Sequence, residues 1–357
     1  MGTRLNECWA SEIVCQPLVV YNASSTLLSL PTRSPFYFMI SSRHLRISAC
    51  FLIALGLIAA IYFDSMRGLG SQVVSEAPRT AWKQIALLAD REISESSGLI
   101  LSERNPNCFW THNDSGDAAR LFLVHRDGRT IARLKVTGAN AIDWEDIASA
   151  TIDGMPKIII GDIGGNAQKR NHVTLYVLSE PKFLFDASKP ARPIESSAKV
   201  ETSVDVTFEG GVTNYEGIAV DHAGKSILIF EKALMGGRVY SLPLPELSKR
   251  NTGAQAKLIA KTSIPIACAC DISADSRSMV VVTYQVGCLF TRKRKDDGNI
   301  EDWSEALKRD PLFFPLPKMR QTEAVCFSRD AKSIFLTSEQ LPTPIIEMKL
   351  PIATDFP

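Results

Sequence analysis

The sequence lacks the motifs of several large functional classes. Its 40 basic and 39 acidic residues leave a net charge of +1, which gives no general attraction to nucleic acid. Among its eight cysteines there is no C-x-x-C pair, so the common zinc and thioredoxin spacings are absent. There is also no G-x-S-x-G nucleophile elbow and no phosphate loop followed by a helix. We therefore expect neither a nucleic-acid partner nor redox chemistry.

Long apolar runs are scarce, and the one that stands out covers residues 49–63. It is uncharged and follows Arg43, His44 and Arg46, which is typical of a secretory signal or a signal-anchor helix. Counted from Ile47 it has about 17 residues, the lower limit for a spanning helix. No small-residue cleavage site follows closely, so an uncleaved anchor is favoured, and a cleaved signal peptide stays open as the alternative.

This run divides the chain into four predicted parts. Residues 1–38 show no period, and Met39 looks like a natural start, so 1–38 is interpreted as disordered or as an over-extended reading frame. Residues 39–63 form the signal or transmembrane anchor, and 64–80 a linker. Residues 81–357 form the main domain. The basic flank predicts that this domain lies outside the cytoplasm, periplasmic or extracellular, and secreted if the signal is cleaved.

From Trp82 onward the pattern is one of short strands and turn signals, with no convincing long amphipathic helix. Five segments share a layout of opening, turn, second strand and third strand, which indicates internal repeats. Their openings lie at residues 97–99, 145–147, 216–218, 270–272 and 323–325.

This layout predicts an all-β protein, a β-propeller of five blades with a sixth left open, because the second unit is longer than the others. The last unit has only three strands, and the strand-like residues 82–93 stand alone before the first unit. We expect residues 82–93 to close the ring as the outer strand of the last blade. A β-sandwich is the alternative fold.

Charged residues concentrate where the first strand of each blade begins and the second ends, positions that share one mouth of a propeller channel. Several carboxylates at one mouth would repel one another unless a hard cation such as Ca²⁺ compensates. The predicted metal ligands are Glu145, Asp146, Asp162, Glu216, Asp271 and Glu323. The predicted ligand-binding residues are Asn113, Asp114, Asn166, Glu231, Lys232 and Glu339, and the predicted catalytic residues are His112 and Glu145. The alternative for any one of these residues is that it only caps a turn through the backbone, as Asp and Asn at strand ends often do.

The joint motifs at residues 110–116, 143–148, 161–166 and 214–218 resemble a largely uncharacterised family of exported bacterial β-propeller proteins. That resemblance implies the fold and an extracytoplasmic location but no activity. A more distant similarity is to calcium-dependent propeller hydrolases of the gluconolactonase and paraoxonase kind and to esterase-like phytase propellers, which share acids and amides at the mouth.

Two functions follow from the sequence. The first is a membrane-anchored, exported propeller that binds a cation, a small molecule or a protein at its acidic mouth. The alternative is a calcium-dependent hydrolase of an ester, lactone or phosphoester, with His112 or Glu145 as general base.

Overall fold

The computed structural model describes residues 81–165, 170–186, 188–189, 192–249 and 252–351. They form an all-β propeller of five blades, with strands numbered in chain order. Blade 1 contains β2 (Ser96–Leu101), β3 (Cys108–Asn113), β4 (Arg120–His125) and β5 (Thr130–Thr137), and blade 2 contains β6 (Trp144–Ile152), β7 (Met155–Asp162), β8 (Val173–Ser179) and β10 (Thr202–Phe208). Blade 3 contains β11 (Tyr215–Asp221), β12 (Ser226–Glu231), β13 (Arg238–Pro243) and β14 (Thr252–Lys261), and blade 4 contains β15 (Ala269–Ile272), β16 (Ser278–Val282), β17 (Val286–Thr291) and β18 (Leu312–Pro315).

The last blade is completed by the beginning of the domain, as the sequence predicts. Blade 5 contains β19 (Thr322–Phe327), β20 (Ser333–Ser338), β21 (Pro344–Lys349) and, on its outer edge, β1 (Trp82–Leu87), which pairs antiparallel with β21. The closing strand is shorter than the predicted 82–93. The innermost strands β2, β6, β11, β15 and β19 contact one another in a ring. Closure of this kind leaves few unpaired strand edges.

The count of five blades is confirmed, and the sixth blade that the sequence left open does not occur among the described residues, because the extra length of the second unit forms one additional strand. This strand, β9 (Ile194–Lys199), pairs in parallel with β5 of blade 1. A 3-10 turn at Leu244–Ser248 and one helical turn at Trp303–Ala306 complete the described elements. No helix within the described residues is long and apolar enough to cross a membrane. The predicted anchor at 39–63 lies outside those residues.

The core consists of five hydrophobic clusters, one at each blade-to-blade interface of the described residues. This explains why the strands are apolar without interruption. In β7, Ile158 and Ile160 pack toward blade 1, whereas Ile159 packs toward blade 3. Alternate side chains of a strand point to opposite faces, so a strand between two neighbours needs apolar residues on both.

Polar side chains join the inner strands of neighbouring blades. The Asp146 carboxylate accepts N–H groups from Ile147 at 2.8 Å and from Ile218 of blade 3 at 2.9 Å. Asp271 does the same for blades 4 and 5, accepting from Ile272 at 2.8 Å and from Phe327 at 2.7 Å. These two acids therefore lie inside the channel wall and satisfy backbone donors there.

Asp271 should give the protein a measurable pH dependence. Burial raises the pKa of its carboxyl group to about 7, although its two N–H donors act in the opposite direction. The folded state then holds a proton that the unfolded chain releases near pH 4, so the free energy of unfolding should fall as pH rises from about 4 to about 7. Asp271→Asn should reduce the slope of the free energy of unfolding against pH by up to roughly 1.4 kcal/mol per pH unit. Urea unfolding at several pH values measures this slope.

Asp330→Asn provides the matched control. Asp330 is exposed, and its hydrogen bond with the Ser328 hydroxyl lowers its pKa, so its titration lies below this window. If the two variants have the same slope between pH 4 and 7, Asp271 does not titrate as described.

Candidate functional site

Three of the mouth glutamates are bulge residues of innermost strands. In β6 the pairing passes from Trp144 with Asp162 to Asp146 with Gly161, which leaves Glu145 outside the register. The same shift occurs at Glu216 in β11 and at Glu323 in β19. A bulge redirects a side chain and is common beside functional sites. The repeated Glu of the sequence is thus the residue that the bulge turns out of the regular strand pattern.

The tightest group of acids contains Asp114, Asp143 and Glu145. Each offers one carboxylate oxygen, and these three oxygens all lie within 4.8 Å of one another. Asp143 is 1 % and Glu145 2 % exposed, whereas Asp114 is partly exposed. Ca²⁺ binds oxygens at about 2.3–2.6 Å, so ligands on opposite sides of one ion are up to about 5 Å apart. The spacing therefore fits a shared hard cation.

Glu145 contributes an unsatisfied atom to this group. Its Oε1 is buried and has no hydrogen-bond partner among the described residues. The Glu216 carboxyl group lies beside it, and two carboxyl groups can hydrogen-bond to each other only when one carries a proton. Glu145 therefore lies in an arrangement that calls for a proton or a cation.

Gly164 allows this close approach. A Cβ atom added at Gly164 would lie 2.1 Å from Oε1 of Glu145 and 2.5 Å from Oδ2 of Asp143. The backbone N–H of Gly164 donates to the Asp143 carbonyl at 3.1 Å, as does that of Ile163. The glycine after β7 therefore gives the two carboxylates the room that any side chain would take.

Burial and like charge both act on the acids of this group. Burial, followed by the charges of Glu216, Asp114 and Asp143, raises the pKa of Glu145 well above its usual range. Burial also raises the pKa of Asp114 to about 6, and Glu216 and Asp143 act in the same direction. Raised pKa values of this kind show that the ionised form of these carboxyl groups is disfavoured, which is common at functional sites.

On the other side of the mouth, the ammonium group of Lys232 supplies positive charge. Nζ of Lys232 lies 3.1 Å from Oε2 of Glu216 and 5.4 Å from the ring centre of Tyr284. Burial raises the pKa of Glu323 to about 7, partly offset by Lys232, and burial followed by the charge of Asp114 raises the pKa of Glu339. Lys232 thus offsets the negative charge on the side of blades 3 and 5.

Glu216 connects the two sides. Its Oε1 accepts from Nδ2 of Asn214 at 2.6 Å, and the Asn214 Oδ1 accepts from the Gly165 N–H at 2.6 Å. The amide of Asn214 therefore ties the loop after β7 to the mouth. Sequence reasoning missed this role, although the motif at residues 214–218 contains the residue.

Two of the predicted site residues, Asp162 and Glu231, are each held by an arginine. Asp162 is fully buried; its carboxylate accepts the Asp143 N–H at 3.1 Å and pairs with Arg170. Arg170 also donates to the Gly164 carbonyl at 3.0 Å. Glu231 is held by Arg238 at 2.7 Å and by the Thr213 hydroxyl at 2.8 Å. Each carboxylate therefore has its own guanidinium partner.

His112 and Asn113 are likewise engaged in internal contacts. Nδ1 of His112 lies 2.7 Å from the Asn113 carbonyl, and its Nε2 accepts the Gly98 N–H at 3.2 Å. Burial lowers the pKa of His112 to about 4, so the ring is neutral. The Asn113 amide donates to the Glu92 carbonyl and to Asp117, both at 2.7 Å. This is the capping role that the sequence left open.

The structure thus brings together Asp114, Glu145, Glu216, Lys232, Glu323 and Glu339 of the predicted set at the mouth. Asp146 and Asp271 lie deeper, where they join neighbouring blades. The predicted Asn166 lies outside the described residues. The sequence indicated Asp143 as one of the dense acids of its blade but did not place it among the predicted ligands. Its position two residues before the bulged Glu145 was the available signal.

Comparison with known proteins gives distant structural likenesses. No known family matches the sequence, and no curated protein does. Among solved structures, the chain is similar to the propeller of Dos1, with 14 % identity and a TM-score of 0.32 over 71 % of this chain and 68 % of that one. It is also similar to a luciferin-regenerating enzyme, with 10 % identity and a TM-score of 0.41 over 76 % of this chain and 95 % of that one. Likenesses this distant carry no argument about function.

Gly164 gives a direct test of the packing at the mouth. Gly164→Ala should lower the free energy of unfolding by about 1–3 kcal/mol, because the added methyl group must displace two buried carboxylates. The control is Gly253→Ala in β14, where an added Cβ would meet nothing nearer than an oxygen at 4.0 Å. Equal stability of the two variants in urea unfolding would contradict the close approach at Gly164.

Proposed function

We propose that this protein is a membrane-anchored, exported propeller that binds a hard divalent cation, Ca²⁺ in the first instance, at its acidic mouth. Asp114, Asp143 and Glu145 are the proposed ligands, and Glu216 lies beside them. When bound, the cation would supply the positive charge that this side of the mouth needs. The chain's own residues would hold the ligand oxygens in place, and Gly164, which has no side chain, leaves the space beside them open.

One observation carries the proposal: Oε1 of Glu145 is buried without a hydrogen-bond partner among the residues that the structure describes, and Glu145 belongs to a group of three carboxylates. A buried acceptor left unsatisfied costs about 1–3 kcal/mol, and more when it is charged. Other buried acids nearby avoid this cost through N–H groups or guanidinium partners, as Asp146 and Asp162 do. The oxygen of Glu145 is therefore the atom that a ligand would satisfy.

A proton shared by Glu145 and Glu216 is the competing explanation. It would neutralise the pair without any metal and would account equally for the raised pKa of Glu145. The two explanations differ in how they respond to added ion, because a cation replaces the proton and releases it to the buffer. Affinity for Ca²⁺ should accordingly rise with pH as Asp114, with a pKa of about 6, loses its proton.

The contacts do not favour the alternative hydrolase. A metal-assisted hydrolase needs a general base beside the cation. Both ring nitrogens of His112 are engaged internally, and Glu145 is itself a proposed ligand. Binding is therefore the function that the geometry supports best.

Ca²⁺ should stabilise the purified domain, residues 81–357. A free concentration one hundred times the dissociation constant should add about 2.7 kcal/mol to the free energy of unfolding. Glu145→Gln should weaken binding at least tenfold in calorimetric titration while stabilising the ion-free protein at pH 8, since it removes one of several repelling charges.

The control is Glu209→Gln, an exposed acid between β10 and β11, which should bind like the wild type. Calorimetry in buffers of different ionisation enthalpy should show proton release at pH 6. An unchanged thermal midpoint in the wild type with millimolar Ca²⁺ would refute the cation site and leave the shared proton as the explanation.

The location is tested separately. In a bacterial host, protease added outside the cytoplasmic membrane should cleave the propeller of the full chain, and the same chain should sediment with membranes. A chain beginning at residue 64 should be soluble and protected inside intact cells. Recovery of the full chain in the soluble cytoplasmic fraction would refute anchoring and export.

A further inference from the structure

One stretch of chain forms the outer strand pairs of blades 1 to 3. Strand β9, which lies between two strands of blade 2 in the chain, pairs in parallel with β5 of blade 1 from Ala132–Ile194 to Thr137–Lys199. Directly after it, β10 pairs with β8 inside blade 2 and in parallel with β14 of blade 3. One stretch of chain, residues 194–208, thus fastens blade 1 to blade 2 and blade 2 to blade 3.

The other blades of this propeller lack such outer connections among the described residues. Blades radiate from the channel, so outer strands of neighbouring blades diverge unless something spans the gap between them. Within the described residues, blades 4 and 5 each form a separate four-stranded sheet with no strand pair to a neighbouring blade. Among the described residues, a strand pair therefore joins the outer edges of blades 2 and 3, and the continuous chain from β9 into β10 joins the outer edges of blades 1 and 2.

These are the interfaces that carry the closest acids. Asp114 follows the second strand of blade 1, Asp143 and Glu145 lie at the start of blade 2, and Glu216 lies at the start of blade 3. Repulsion between carboxylates of different blades pushes those blades apart at the mouth. This repulsion grows as the charges approach each other and as burial lowers the local dielectric constant.

We propose that β9 is a positioning element, a perimeter clamp that holds blade 1 against blade 2 so that Asp114 stays within coordinating distance of Asp143 and Glu145. As a device for a cation site, this inference rests on the proposed function. As a device against repulsion, it requires only that carboxylates of different blades are ionised together. Sites held on rigid elements lose less entropy when the ligand binds.

The register of β9 supplies a matched pair of variants. The N–H of Val200 donates to the Thr137 carbonyl at 2.9 Å, so Val200 points toward β5. Backbone groups alternate along a strand, so those of Ser196 also point toward β5 and those of Ser197 point to the open edge. Proline cannot donate a ladder hydrogen bond but is tolerated on an open edge. Ser196→Pro therefore breaks the clamp, whereas Ser197→Pro introduces the same residue without breaking it.

The first measurement is Ca²⁺ affinity by calorimetric titration of residues 81–357. Ser196→Pro should weaken binding about tenfold or more, and Ser197→Pro should bind within about twofold of the wild type, since affinity depends on preorganised ligands. If the wild type itself does not bind Ca²⁺, the proposed function fails, and the clamp is then decided by the second measurement.

The second measurement is a double-mutant cycle in ion-free buffer at pH 8, which needs no metal. Ser196→Pro should lower the thermal midpoint more in the wild type than in the Glu145→Gln background, where less repulsion has to be resisted. Equal losses in the two backgrounds overturn the clamp, whatever the affinity. If Ser196→Pro does not fold, Thr137→Val takes its place in the cycle, because it removes only the hydroxyl that donates to the Ala198 carbonyl at 3.2 Å.

Discussion

Burial of like charges at one mouth of the channel is the constraint to which the rest of this structure responds. Natural domains are stable by only about 5–15 kcal/mol, and a single pair of close charges can cost several of these. Each acid near the mouth therefore needs compensation. Asp162 has Arg170, Glu231 has Arg238 and Glu216 has Lys232. Oε1 of Glu145 has no such partner among the described residues, and the proposed cation follows from that difference.

Neighbouring acids serve different purposes here because of backbone geometry. Glu145 and Asp146 are adjacent in sequence, yet one is displaced by the bulge into the mouth group while the other accepts N–H groups inside the channel wall. Without the bulge the two side chains would simply alternate across the strand. A single register shift thus separates a candidate ligand from a residue that joins two blades.

The sequence was sufficient to predict the fold because the signals for it are local. Turn residues and apolar runs marked each hairpin, and the unpaired stretch before the first repeat predicted the closure that β1 makes with β21. The strand β9 was not foreseen as a separate element. Its partner in blade 1 is distant in sequence, and the exposed, polar pattern of Ile194–Lys199 carries little sign of pairing. Length alone signalled it, and length was equally consistent with a sixth blade.

The site was only partly predictable, for a physical reason. Residue type places acids near the mouth, but partners decide what each acid can do, and partners come from other blades. The sequence suggested His112 as a base, yet Gly98 and the Asn113 carbonyl occupy both of its nitrogens. Cys270 and Glu323 lie at corresponding points of their repeats, yet β15 keeps its register where β19 bulges. Such differences depend on pairing between strands, which a single sequence does not display.

A ligand at this mouth would act on the fold as well as occupy a site. The proposed ligands come from blades 1 and 2, with Glu216 of blade 3 beside them, so any cation they share would hold separate sheets together from the channel side. The strand pairs of β9 and β10 hold the same sheets from the perimeter. Repulsion between the carboxylates at the mouth pushes these blades apart, and a bound cation would reduce that repulsion. Cation binding and the packing of blades 1 to 3 would therefore be coupled. The free energy of binding the ion would add to the free energy of unfolding of the propeller.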